Sequence, residues 1–90
     1  MAIDKEIVSH MENHIETMIS NMGIYIPCIK IAFPYTTNLA DACFSVIMGS
    51  ALTVFINQYA MRMKYPSSDD FTEFGKITEK FREEVNSFFK

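Results

Sequence analysis

Between Asp41 and Arg62 run twenty residues without a charge, ACFSVIMGSALTVFINQYAM. A helix over this segment is apolar nearly all round, and such a helix has to be surrounded by other apolar material, either protein or lipid. The flanking sequence discriminates between the two. On both sides apolar residues recur in steps of three and four with charges opposite them, the pattern of helices that keep one side in water. The segment itself carries Ser45, Ser50, Thr53, Asn57 and Gln58, which weaken its tendency to insert, whereas a membrane span wants about 20 predominantly apolar residues. We therefore expect a soluble all-α domain built round this helix, with a single-span membrane protein as an alternative. In that alternative Arg62 and Lys64 would hold the C-terminal side in the cytoplasm.

The 90 residues suit one domain, 1–90, of a size that hides only about 60–65% of the surface its unfolded chain exposes. Yet 49% of them are hydrophobic, including eight Phe, four Tyr and seven Met. A second copy would cover what a lone domain leaves wet, so the expectation is self-association as a dimer or higher symmetric oligomer.

The pattern on either side of the long segment divides the chain into elements. Ile3, Ile7, Val8, Met11, Ile15, Met18, Ile19 and Met22 form one apolar stripe opposite Glu6, His10, Asn13, His14 and Thr17, which predicts a helix over about 3–22 with Gly23 beyond its end. The following IYIPCIKIAFPY is apolar on both parities and holds Pro27 and Pro34. It is expected to be a short extended connection over 24–33, buried on two sides, with Lys30 reaching out along its stem and with its backbone paired to a second copy. Asn38 or Thr37 caps the long helix, which runs to about Lys64 before Pro66. At about 1.5 Å per residue it measures about 40 Å. Ser67 with Asp70 reads as a capping box, and Phe71, Phe74, Ile77, Phe81, Val85 and Phe88 line one side of a last helix. The fold expected is a three-helix bundle with the long apolar helix at its centre.

Charge narrows the function. The net charge is −3, the first helix is the most acidic part, and no cluster of Lys and Arg exists to neutralise phosphates, so nucleic acid is not an expected partner. The opening MAIDKEIV lacks the cationic and then apolar order of a secretory signal. Cys28 and Cys43, fifteen positions apart without any CxxC or Cys/His spacing, read as free thiols in a reducing cytoplasm.

No group of residues declares a catalytic site. His10 and His14 lie one turn apart with Glu6 a turn earlier, but HMENH puts its glutamate in the wrong place for HExxH and no third ligand follows, so two solvated histidines and no metal are expected. The cysteines lack an activating base. The pairs Asp69–Asp70 and Glu83–Glu84 are adjacent and so diverge on a helix. Gly23, Gly49 and Gly75 stand alone, without a phosphate-binding loop. Neither an enzyme nor a cofactor is expected.

What remains is surface. Ala42, Ser45, Gly49, Thr53 and Ala60 fall near one line of the long helix, and small side chains let another backbone come close. Ser45, Gly49 and Thr53, together with Tyr25 and Ile29 of the extended segment, are the expected interface between copies. The role expected is that of a small interaction or regulatory module binding a partner protein through helical surfaces. The alternative is an oligomer holding a small anionic ligand between subunits, with Tyr59, Arg62 and Lys64 at the contact.

Overall fold

A computed structural model describes residues 3–89. The chain is all-helical, with no strand among the described residues: α1 (Lys5–Ser20), α2 (Met22–Ala32), α3 (Leu39–Met61), α4 (Ser68–Glu79), α5 (Arg82–Asn86) and a closing 3₁₀ turn, Ser87–Phe89. Its extents are 38 × 22 × 21 Å.

Asp4 starts α1 by accepting the Glu6 backbone N–H at 2.8 Å, and Ile7, Val8, Met11, Ile15, Met18 and Ile19 are all buried. That face lies antiparallel on α3, as the Glu6–Arg62 ion pair at one end and the His14–Ser50 hydrogen bond further along show. Ala51 is fully buried on α3, and α1 and α3 share the most extensive helix–helix contact in the molecule.

The extended connection expected over 24–33 is a helix, α2. The carbonyl of Asn21 accepts from the N–H groups of both Ile24 and Tyr25, at 2.9 and 3.1 Å, so the chain bends after α1 and coils again at once. A lone strand would have left its amides unpaired, while a helix satisfies them within the segment. Pro27 sits inside α2 and forgoes one bond, to the carbonyl of Gly23; because Gly23 is exposed, water can take that carbonyl. Met22 and Ile29 turn into the core. Pro34 instead occupies the second place of the turn closed by Thr36 N–H on the Phe33 carbonyl at 3.2 Å, where its fixed φ fits.

Asn38 caps α3 on the Asp41 N–H at 3.1 Å. The helix ends in a left-handed residue, Met63, with φ 56°. The Met63 N–H donates to the carbonyl of Ala60 at 2.9 Å and the Lys64 N–H to that of Tyr59 at 3.0 Å, the pair of bonds that defines a Schellman stop. Cys43, Phe44, Ile47, Met48, Ala51, Phe55 and Tyr59 form its buried face.

Ser67 and Asp70 make the reciprocal capping box of α4, at 2.8 and 3.2 Å. The single last helix expected from the stripe is interrupted at Lys80 and Phe81, where the Phe81 N–H turns to the Thr78 carbonyl at 3.0 Å. At and beyond the interruption Phe81 and Val85 are buried and Phe89 packs against the core, leaving Phe88 exposed. Phe55 is the hub of the core at this end. Its ring meets Tyr59 at 5.0 Å, Phe74 at 5.0 Å and Phe71 at 5.5 Å. Arg82 places its guanidinium 4.1 Å from the centre of the Phe44 ring while pairing with Glu79 and Asp41. Lys80 pairs with Glu12 across to α1.

Candidate functional site

The antiparallel packing of α1 on α3 brings the start of one helix to the end of the other, and α4 begins beside both. Between these three ends lies a cleft of about 580 Å³. Tyr59, Arg62 and Lys64, expected from the sequence to sit between subunits, line it together within one chain, joined by Tyr65, Asp4 and Asp70 above Ile3 and Ile7.

Its charges differ in how far they are committed. Arg62 is largely committed: one guanidinium nitrogen donates to the Gln58 carbonyl at 3.0 Å and to Gln58 Oε1 at 2.9 Å, and the other terminal nitrogen pairs with Glu6 at 3.3 Å. Asp70 is held by α4, since the Ser67 backbone N–H and, more weakly, the Tyr59 hydroxyl and Ser67 side chain keep its carboxyl below its ordinary value. The Tyr59 phenol moves the other way, raised first by burial and then by Asp70 and the charge of Asp4. Asp4 uses one oxygen for its cap. Lys64 makes no ion pair or hydrogen bond through its ammonium among the described residues.

Two further surfaces are exposed. On α3, Ser45, Gly49, Thr53 and Ala60 face outward. A Cβ built on Gly49 meets no heavy atom within 4 Å, and the Thr53 hydroxyl is satisfied within its own helix by the Gly49 carbonyl at 3.2 Å. On α2 the outward residues are Ile24, Cys28 and Ile31, and beyond it come Phe33 and Tyr35. Ile31 is 81% exposed, Ile24 64%, Phe33 53% and Tyr35 94%. Of the residues of this segment expected to touch a second copy, Ile29 is buried in the chain's own core and Tyr25 packs half-buried against it, so the free side of α2 is the opposite one.

The histidines separate. His10 is exposed, while His14, half-buried, holds Ser50 Oγ at 2.6 Å through Nε2 and ties α1 to α3. No three His, Cys, Asp or Glu side chains converge as metal ligands among the described residues. Burial raises the pKa of the Cys43 thiol, which keeps it a poor nucleophile. Comparison with protein-family models, curated proteins and solved structures finds no match to this chain.

Sequence spacing could find Tyr59, Arg62 and Lys64 because they share one helix end. Asp4 and Asp70 come from other elements, and only the antiparallel docking of α1 and the position of α4 add them. The capping box marked Asp70 only as part of a helix start, and the cap made by Asp4 became visible with the structure.

Proposed function

We propose that the chain is a non-enzymatic helical interaction module that docks through the outward face of α2 and the turn after it, its first partner being a second copy of itself. The observation that carries this reading is the set of exposed apolar side chains there, Ile24, Ile31, Phe33 and Tyr35, on the side of the segment opposite the buried Ile29. Soluble monomers rarely leave such groups together in water. The open face of α3 supports the same reading, because Ser45, Gly49 and Thr53 would let a second backbone approach closely.

The test is the mass of the detergent-free protein by light scattering, for the parent chain and for Ile31→Glu. The reading expects a defined oligomer that the glutamate converts to a monomer. A parent monomer at all concentrations would remove it. Recovery only in detergent would favour the alternative, in which α3, long and apolar enough to cross a bilayer by length and composition, spans one.

A further inference from the structure

We propose that the cleft between the start of α1, the end of α3 and the start of α4 binds a small zwitterion of the amino-acid type, one bearing an ammonium, a carboxylate and an apolar side chain. The inference is independent of self-association.

The lining charges balance, with Arg62 and Lys64 against Asp4 and Asp70. A simple anion entering the cleft meets two carboxylates, and a simple cation meets two cationic groups, so neither gains a favourable field from the site as a whole. A ligand carrying both signs does, provided that groups of each sign are free to meet it. Arg62 and Asp70 are already engaged by Gln58, Glu6 and the α4 cap. Asp4, which lies exposed and keeps one carboxylate oxygen outside its cap, differs from the buried Asp70, and it and Lys64 remain. Although both border the same cleft, no ion pair within 4.0 Å joins them among the described residues. A ligand ammonium at Asp4 and carboxylate at Lys64 would bridge the gap. The Tyr59 hydroxyl is biased against ionising first by burial and then by Asp70 and Asp4, the two carboxylates on this side of the cleft.

The apolar part of the ligand also has a place. Ile3 and Ile7, 2% and 3% exposed, close the base of the cleft with little accessible surface, and Tyr65, 96% exposed, offers its ring at the rim beside Tyr59. A cleft of about 580 Å³ lies within the roughly 300–1,000 Å³ range of small-molecule sites, and its wall is more polar than apolar, as suits a ligand held mainly through its two charges.

The test titrates the full-length chain, followed by NMR shifts of the tyrosine rings and by calorimetry. Three probes share one aromatic side chain: free phenylalanine, N-acetylphenylalanine without the ammonium, and phenethylamine without the carboxylate. Phenylalanine is expected to move the Tyr59 and Tyr65 signals, and each single-charge probe to bind about tenfold more weakly or less, as loss of one charged contact implies. Lys64→Ala and Asp4→Asn, the latter retaining a capping side chain, should each weaken phenylalanine by a similar factor while circular dichroism stays unchanged. Absence of any phenylalanine-induced shift at millimolar concentration, or equal binding of all three probes, would overturn the proposal.

Discussion

Met63 adopts a left-handed backbone, φ 56°, with its side chain 95% exposed. The conformation costs a residue with a Cβ about 1–2 kcal/mol, and here no packing offsets it. Met63→Gly is therefore expected to raise the unfolding free energy by about 0.5–1 kcal/mol in urea titration, the lower figure reflecting the greater freedom of glycine in the unfolded chain. Removing the cap at the next helix acts oppositely: Ser67→Ala should cost about 1 kcal/mol. Asp70 makes this end of the molecule sensitive to acid. Because folding lowers its pKa from the ordinary 3.8, its contribution is complete above that pH and is lost as pH falls through the lower folded value. Tyr59, raised from 10.0, stabilises the fold below that pH and ceases to do so as pH climbs past it. Unfolding midpoints measured across pH should show both flanks, and Asp70→Asn should flatten the acid one.

At the level of elements, α4 is held to the rest chiefly by rings. Phe55, fully buried, contacts both Phe71 and Phe74, so Phe55→Ala should cost about 3–5 kcal/mol. Hydrogen exchange should then show the amides of α4 losing protection ahead of those of α1 and the middle of α3. The periodicity of Ile7 to Ile19 and the cap at Asn38 made α1 and α3 legible from the sequence, because a helix that buries one stripe advertises it. The nature of α2 was not legible. Pro27 argued against a helix by local rules, and what decided the outcome was the Asn21 carbonyl accepting two bonds and restarting the coil, an event with no periodic signature. The interruption at Lys80 is equally silent, since Ile77, Phe81 and Val85 keep helical spacing across it. The cleft shows the same division, with its α3 residues found by spacing and its carboxylates found only through the packing of α1 and α4.

For the whole molecule, the open face of α3 gives a test that separates monomer from assembly. In a monomer nothing lies within 4 Å of a Cβ at Gly49, so Gly49→Ala should stabilise the helix by about 1 kcal/mol. Where a second backbone rests on Ser45, Gly49 and Thr53, the added methyl group should instead weaken association, read as a rise in the dimer dissociation constant by sedimentation. Concentration dependence of the melting temperature would report the same coupling.

The uncharged length of α3 also bears on how the molecule is made. Synthesis delivers α3 before Phe81 and Val85, two of the residues that close over it, have left the ribosome. During that interval its free surface is the kind an insertion channel samples, in competition with α1 folding back onto it. A pause after Met61 is expected to lengthen that exposure, and docking of α1 to shorten it.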